Sequence, residues 1–269
     1  MTLRELKKVL PDEYGAWAMW LVPFLAGAKL AHQWNGKTVL WFFFLAVFYV
    51  LKNPFIEWIL KNSVLFRPHP SKRERILISS AFPLVGVAGA VWFFSQTDLT
   101  SALIAAGIGI VLALFYLILD VQKQGRSLIG QWVGVVLLTF AAPLTAVALG
   151  GVFNGPALIV WTANILYFAH SIYTVRGWMN SRKRDTASKT TVRLFRPLFL
   201  YWGLTLLLAI AAVFLRWVPA VWFVLLLPTT IFIGLFTAGL YRRITIRQIG
   251  FLEVAHTLIF SALLILLIP

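Results

Sequence analysis

Nine long apolar stretches run through the sequence of 269 residues and constrain what it can fold into. A helix needs roughly 20 mostly apolar residues to cross the ~30 Å hydrocarbon core of a membrane. Because unpaired backbone groups are costly in lipid, such stretches are expected to be helices. The predicted spans lie at about residues 14–31, 37–54, 76–95, 100–120, 128–150, 153–175, 196–215, 218–240 and 247–268.

The composition excludes the soluble classes of protein. Hydrophobic residues make up 60% and charged residues 12% of the chain, whereas a soluble domain is about 45–50% apolar and about 25% charged. The chain therefore has too little polar surface to cover itself in water. This excludes a soluble enzyme, a disordered protein and a free DNA-binding domain. We predict an all-α, multi-pass membrane protein that forms a single transmembrane helical domain over residues 1–269.

The basic residues predict the orientation of the chain. All but three of the 24 Lys and Arg residues fall in loops on one side of the nine predicted spans, and the exceptions are Lys29, Lys37 and Arg216. Cytoplasmic loops of membrane proteins carry excess Lys and Arg. We therefore expect the N-terminus in the cytoplasm and the C-terminus outside.

The net charge of +15 does not predict nucleic-acid binding. The charges lie where the topology needs them, and anionic lipid headgroups are their natural partners. However, the loops after spans 2 and 6 hold 13 of the 24 basic residues, more than orientation requires. Two basic loops on one face could also hold an anionic ligand such as a phosphate or diphosphate group. Membrane lipids are thus the predicted partners and a lipid or isoprenoid phosphate the candidate ligand, while the oligomeric state stays open.

Ionisable residues within or beside a membrane span are costly and mark functional sites. Most of them here fall at the predicted cytoplasmic ends of the spans, where they predict a cavity open to the cytoplasm. The alternative is a set of interfacial residues hydrated by headgroups. The candidate catalytic residues are Glu13, Glu57 and Asp120, and the candidate binding residues are Asn53, Arg126, His170, Tyr173, Arg176, Glu253 and His256.

Helical spacing relates several of these candidates. His170, Tyr173 and Arg176 are three residues apart and are predicted to share a helix face. Glu253 and His256 are three apart and are predicted to pair, although hydration at the interface is an equal alternative. Glu13 lies in the first turn of its span, which also fits an interaction with the helix dipole.

No metal site is predicted, and the need for a cofactor stays open. The acids are spread over four spans, the chain has no cysteine, and zinc spacing such as HExxH is absent. The phosphate loop, the nucleophile elbow and the dinucleotide fingerprint are absent as well. Gly107 and Gly109 are interpreted as helix-packing residues.

Three segments carry a resemblance to a known family. They are PDEYGAWAMWLVPFLAGA at residues 11–28, RSLIGQWVGVVLLTFAAPLTA at 126–146 and HSIYTVRGW at 170–178. In these segments the chain resembles the YwiC-like bacterial membrane proteins. The resemblance implies a location in the bacterial cytoplasmic (inner) membrane and supplies no activity.

A more distant resemblance is to the UbiA-type prenyltransferases. These have nine membrane helices, an inside N-terminus and an active site beneath the loops after helices 2 and 6. The resemblance implies a UbiA-like helical bundle and an isoprenyl diphosphate held through magnesium by two Asp-rich motifs. Asn53 and Glu57 match the first motif in part. Basic residues dominate the stretch that matches the second, so both metal motifs are eroded.

Three hypotheses of function remain open at the level of sequence. The first is a UbiA-like protein that binds or transforms a polyprenyl or lipid (di)phosphate at its cytoplasmic face. The second is a transporter or exporter, in which Glu253 and His256 relay protons. The third is a non-catalytic assembly factor of a respiratory membrane complex.

Overall fold

The computed structural model describes residues 14–60, 72–182 and 191–268, and for residues 14–16, 51–60, 72–80, 82, 246 and 247 it describes the backbone alone. Across these ranges the chain is helical and contains no strand. The elements are α1 (Tyr14–Leu30), α2 (Gly36–Leu60), α3 (Lys72–Gln96), α4 (Leu99–Val121), α5 (Leu128–Thr139), α6 (Ala141–Ala148), α7 (Gly155–Ser181), α8 (Thr191–Phe214), a 3₁₀ segment (Ala220–Leu226), α9 (Leu227–Leu235), a π-helical turn (Phe236–Leu240), α10 (Tyr241–Arg243) and α11 (Ile246–Leu267).

Six helical segments of the described chain are long and apolar enough to cross a membrane. They are Leu99–Val121, Leu128–Ala148, Gly155–Ser181, Thr191–Phe214, Ala220–Arg243 and Gln248–Leu267. Three further helices are apolar over shorter lengths, at Trp17–Leu30, Gly36–Val50 and Pro83–Gln96. The prediction of an all-α, multi-pass membrane protein is confirmed. The count of nine spans and the orientation stay predictions.

Several helices extend beyond the predicted spans at their polar ends. Helix α2 continues to Leu60 and α7 to Ser181, whereas the apolar stretches were expected to end near residues 54 and 175. Hydropathy marks where a helix leaves the lipid, but backbone hydrogen bonding continues into the interface. Glu57 and Arg176, which follow the predicted spans, are therefore helical residues and not loop residues, and Asn53 is helical as its predicted span implies.

One span is broken in its middle. The segment Leu128–Ala148 divides at Phe140 into α5 and α6. Pro143 lies four residues after Thr139, and a proline ring clashes with the carbonyl at that distance. The Thr139 hydroxyl donates to the Val135 carbonyl oxygen at 2.8 Å, so it satisfies an acceptor beside the break.

Side chains cap the N-termini of several helices. Four helices start after a residue whose side chain accepts the backbone N–H three residues further on. These capping residues are Asp98, Ser127, Asn154 and Thr245. For Asp98, the N–H of Ser101 donates at 2.8 Å, and this bond lowers the pKa of the exposed Asp98 carboxyl.

Hydrogen bonds join several turns at one end of the bundle, which we call the short-turn end (residues 31–38, 96–101 and 149–155). Lys37 Nζ donates to Gln96 Oε1 at 2.9 Å. The Thr97 hydroxyl donates to the Gly151 carbonyl oxygen at 3.1 Å. The opposite ends of the same helices carry most of the basic residues, and we call residues 122–127, 176–182 and 241–248 the basic end.

Helix α1 packs very closely against α6. Ala26, Ala28 and Ala142 are fully buried at this contact. A Cβ atom on Gly27 would lie 2.3 Å from the Ala142 carbonyl oxygen, so the two backbones approach as only glycine allows. Small residues at such contacts are typical of membrane helices, which associate through van der Waals packing.

The predicted packing role of two other glycines holds for one of them. A Cβ on Gly109 would lie 3.3 Å from the Phe140 ring, so this glycine does face a neighbouring helix. A Cβ on Gly107 would meet nothing within 4 Å. The prediction was wrong for Gly107, because two residues of separation turn a helix position to a different side.

Replacing Gly27 with alanine should destabilise the protein. The added methyl group would meet backbone, which cannot rotate away, and overpacking of this kind typically costs ~1–3 kcal/mol. We expect a clear drop in the midpoint of thermal unfolding in detergent. Gly203→Ala is the matched control, because nothing lies within 4 Å of its Cβ position. Equal midpoints for the two variants would contradict the close approach of α1 and α6.

Candidate functional site

Two histidines from distant parts of the chain meet inside the bundle. His170 on α7 is 2% exposed and His256 on α11 is 7% exposed. Their Nε2 atoms are 3.2 Å apart, and the rings meet edge to face with centroids 5.0 Å apart. Both belong to the predicted binding residues, but nothing in the sequence indicated that they touch each other.

The other ring nitrogen of each histidine contacts a backbone carbonyl of its own helix. His170 Nδ1 contacts the Tyr167 carbonyl oxygen. His256 Nδ1 lies 3.1 Å from the Leu252 carbonyl oxygen. A carbonyl oxygen can only accept, so both Nδ1 atoms must donate. In the neutral rings this leaves two Nε2 lone pairs facing each other.

Aromatic packing holds the histidine pair in place. Phe232 stacks on His256 with centroids 4.8 Å apart and planes within 3°. Tyr167 stacks on Phe260 with centroids 3.6 Å apart, and its hydroxyl donates to Thr257 Oγ1 at 3.1 Å. The imidazoles are therefore fixed by their neighbours as well as by their hydrogen bonds.

A cavity of about 60 Å³ adjoins the pair. Helices α1, α7 and α11 line it, and its wall includes Met19, His170, Glu253 and His256. One carboxylate oxygen of Glu253, Oε1, is buried and has no hydrogen-bond partner. The cavity is large enough for a few water molecules. It thus brings one unpartnered carboxylate oxygen and two imidazoles to the same cavity.

The predicted pairing of Glu253 with His256 is not formed. Both ring nitrogens of His256 are engaged elsewhere, with His170 and with the Leu252 carbonyl. Glu253 faces the cavity instead. A spacing of three residues places both side chains on one side of α11 without bringing their polar atoms into contact.

The other predicted residues of α7 turn toward α5. Trp132 Nε1 donates to the Tyr173 hydroxyl at 3.1 Å. Arg176 Nε donates to Gln131 Oε1 at 2.8 Å, and its Nη2 donates to the Arg126 carbonyl oxygen at 3.0 Å. The predicted common face of His170, Tyr173 and Arg176 therefore divides between two neighbouring helices, because three residues correspond to less than one full turn.

A further arginine joins the end of α7 to the segment that precedes α11. Arg182 Nη2 lies 3.0–3.4 Å from the carbonyl oxygens of Tyr241, Arg242 and Ile244. Its guanidinium stands 5.1 Å from the centre of the Trp178 ring. Donors that the sequence suggested for an anion are thus used on the free carbonyls at the end of a helix.

The remaining candidates lie apart from the cavity or outside the described side chains. Asp120 and Arg126 are exposed at the basic end, at the end of α4 and in the following loop. Asn53 and Glu57 lie in α2, where the backbone alone is described, and Glu13 lies outside the described residues. The basic loop segments 61–71 and 183–190 also lie outside them, so the predicted phosphate site beneath these loops stays a prediction.

Among the described residues, no three His, Asp or Glu side chains stand in an arrangement that could hold a metal ion. The residues that sequence reasoning missed are the aromatic and hydroxyl neighbours of the pair, namely Tyr167, Phe232, Thr257 and Phe260. Tyr167 and Thr257 stand close in sequence to the two histidines, and this was the one available signal.

Comparison with known proteins identifies the family of the chain. The family model described as YwiC-like protein matches residues 10–146. The chain belongs to the YwiC-like family. No curated protein and no solved structure matches it. The UbiA-like arrangement of the bundle therefore stays a prediction.

The YwiC-like match covers α1 to α5 and most of α6, and it ends before the histidine pair. It includes the close contact of Gly27 with Ala142. His170, Glu253 and His256 all follow the matched residues. In this YwiC-like protein, the helices that the family model describes thus supply one wall of the cavity through α1, and the chain beyond it supplies the ionisable groups.

Replacing Arg182 with alanine should loosen the start of α11. Hydrogen bonds to charged groups are worth ~1.5–3 kcal/mol, and an exposed arginine falls at the low end of this range. We expect amide hydrogen exchange across residues 244–248 to rise roughly tenfold. Arg193→Ala on α8, also an exposed arginine, is the control and should leave this exchange unchanged. Unchanged exchange in the Arg182 variant would refute a tethering role.

Proposed function

We propose that the protein is a proton-coupled carrier of the bacterial cytoplasmic membrane, in which the His170–His256 pair and Glu253 bind and release the coupling proton. In this proposal the chain crosses the membrane nine times with the basic end in the cytoplasm. One observation carries the proposal: the 3.2 Å contact between two Nε2 atoms whose Nδ1 atoms both face carbonyl oxygens.

Counting hydrogens supports a bound proton. Three contacts follow one another through the pair: carbonyl to Nδ1, Nε2 to Nε2, and Nδ1 to carbonyl. Each contact is a hydrogen bond when one hydrogen lies within it, so three hydrogens are needed. Two neutral imidazoles carry two hydrogens. The third hydrogen gives the pair one positive charge.

Glu253 supplies the opposite charge in the same cavity. A buried charge is stable when a counter-charge or hydrogen bonds compensate it. Several buried side-chain atoms in the described chain have no hydrogen-bond partner. Among the residues that carry them, Glu253 is the ionisable one. Ionisable residues inside membrane bundles are typical of proton relays in transporters.

Proton release would alter a contact between helices. The histidines belong to different helices, α7 and α11, and are 86 residues apart in the chain. Without the third hydrogen two lone pairs face each other at this contact, and their repulsion favours separation of the two helices. This gives proton binding a mechanical consequence, which a proton-coupled carrier requires.

The proposed topology draws support from the two ends of the bundle. Hydrogen bonds join the turns of the short-turn end to each other. Others join α7 to the α5 and α11 regions at the basic end. In the described chain, three basic residues lie at the helix ends opposite the basic end, namely Lys29, Lys37 and Arg216. This asymmetry favours a cytoplasmic basic end.

The lipid-phosphate role draws less support. Arg176 and Arg182 donate to protein groups, which leaves fewer free donors for a diphosphate in the described part of the basic end. Glu13 and the side chain of Glu57 lie outside what the structure describes, and Asp120 is exposed at the end of α4, so a catalytic part for them in such chemistry rests on the sequence alone. Membrane lipids are the proposed surroundings of the bundle and not its substrate. A role as an assembly factor has no observation in its favour.

Cysteine labelling tests the topology. The chain has no cysteine, so single-cysteine variants carry no background. We expect Gln124→Cys to react with a membrane-impermeant maleimide only in inside-out vesicles. Val152→Cys should react only in spheroplasts. Both positions are exposed, at opposite ends of the bundle. Labelling in the reverse pattern would overturn the proposed orientation.

Proton movement tests the carrier role. Proteoliposomes that contain a pH-sensitive dye receive an outside acid pulse while valinomycin and potassium hold the membrane potential at zero. The proposal includes that the protonated carrier crosses without its cargo, so the wild-type protein should acidify the lumen faster than protein-free vesicles. Glu253→Gln and His170→Gln should each reduce this rate to that of protein-free vesicles, since each removes a proton-binding group.

The control for this measurement is His32→Gln, which changes an exposed histidine at the short-turn end. This variant should retain the wild-type rate. The proposal fails if the wild-type protein produces no proton flux, or if the Glu253 and His170 variants retain it.

A further inference from the structure

We propose that the His170–His256 pair also binds one divalent transition-metal ion of the kind that prefers imidazole, such as cobalt, nickel or zinc, in exchange for the third proton. This inference rests on the proposed function, because the ion and the proton compete for the same two Nε2 atoms. It names a ligand class for the cavity, which neither the family match nor the sequence assigns.

The spacing of the two nitrogens fits a shared ion. A tetrahedral ion holds imidazole nitrogens at ~2.0–2.1 Å, which places two such ligands about 3.3–3.4 Å apart. The observed distance between the Nε2 atoms is 3.2 Å. An ion could therefore bind both rings with a shift of a few tenths of an ångström. The packing of Phe232 and Tyr167 around the pair can stay in place.

The outer hydrogen bonds of the pair are those of metal-binding histidines. A histidine ligand donates its other ring N–H to a carbonyl or carboxylate, which fixes the tautomer and orients the ring. Both Nδ1 atoms contact carbonyl oxygens here, those of Tyr167 and Leu252. Both Nε2 lone pairs are thus already directed to the same place.

The cavity supplies the rest of the coordination shell and the charge. Its volume of about 60 Å³ accommodates an ion with water. Glu253 stands one helical turn before His256, and Glu-x-x-His is a known ligand spacing in helical bundles. Its carboxylate does not complete a three-residue group as it stands. A side-chain rotation or a bridging water would bring its charge to the ion.

The donor set selects among ions. Two imidazoles suit zinc, nickel, cobalt and copper, whereas magnesium and calcium require mostly oxygen ligands. The chain has no cysteine and so offers no thiolate to ions that prefer sulfur. The proposed ligand is therefore a borderline ion in exchange with a proton, and not an alkaline-earth ion.

A cobalt titration tests the inference. The full chain is purified through a tag without histidine, reconstituted in nanodiscs and titrated with Co²⁺ in weakly buffered solution. We expect a visible absorption band that saturates at one ion per chain, with at least one proton released per ion. His170→Gln and His256→Gln should abolish the band, and the exposed His32→Gln should retain it. Glu253→Gln should weaken binding roughly 10–100-fold.

A histidine variant that does not fold is recognised by its gel-filtration profile. In that case, measurements on the wild-type protein still test the metal site. Because a proton competes with the ion, the Co²⁺ affinity of the wild-type protein should fall about tenfold for each unit that the pH decreases. An affinity independent of pH, no saturable band, or a band that survives both histidine variants would overturn the inference.

The outcomes also separate this inference from the proposed function. Proton flux that depends on Glu253 without any cobalt binding refutes the metal site alone. Stoichiometric cobalt binding in a protein that moves no protons refutes the carrier role and supports the metal site.

Discussion

A polar group inside a lipid bilayer has no water to bond with, and this constraint governs the interior of the protein. Among the described residues, six threonine hydroxyls donate to the carbonyl oxygen four residues earlier in the same helical segment, at Thr139, Thr162, Thr174, Thr205, Thr230 and Thr237. Trp41 donates its indole N–H to Thr145 across two helices. Five buried side-chain atoms of the described residues nevertheless lack a hydrogen-bond partner, and among them the Glu253 oxygen is the one that belongs to an ionisable group, which is the most expensive kind in a membrane.

The same constraint explains how the two halves of the described chain differ. Helices α1 and α6 contain small residues and meet backbone to backbone at Gly27, so their contact involves few polar groups. Helices α7 and α11 carry tyrosine, threonine and histidine, and they meet through hydrogen bonds and stacked rings. The first contact depends on van der Waals packing. The second contact depends on hydrogen bonds, and the protons that form them can be gained and lost.

The sequence predicted the helical segments well because hydropathy over about 20 residues requires no knowledge of neighbours. It predicted their ends less well, since α2 and α7 stay helical beyond their apolar residues. Which side chains meet was mostly beyond its reach. His170 was identified as a candidate, but its contact with His256 depends on how α7 and α11 face each other. Arg176 was expected to bind an anion, and the carbonyl and amide oxygens that engage it lie 45 or more residues away.

The depth of the cavity has a consequence for energetics. Glu253 and His256 lie five and eight residues after Gln248, the first residue of the last apolar span. At 1.5 Å per residue these positions are ~7.5 and ~12 Å into a hydrocarbon core of ~30 Å. A cation that reaches them from the basic end crosses about a quarter to two fifths of the transmembrane voltage. This corresponds to ~0.6–0.9 kcal/mol per charge at 100 mV. Occupancy of the cavity would then follow the chemical concentration at that face more than the electrical field.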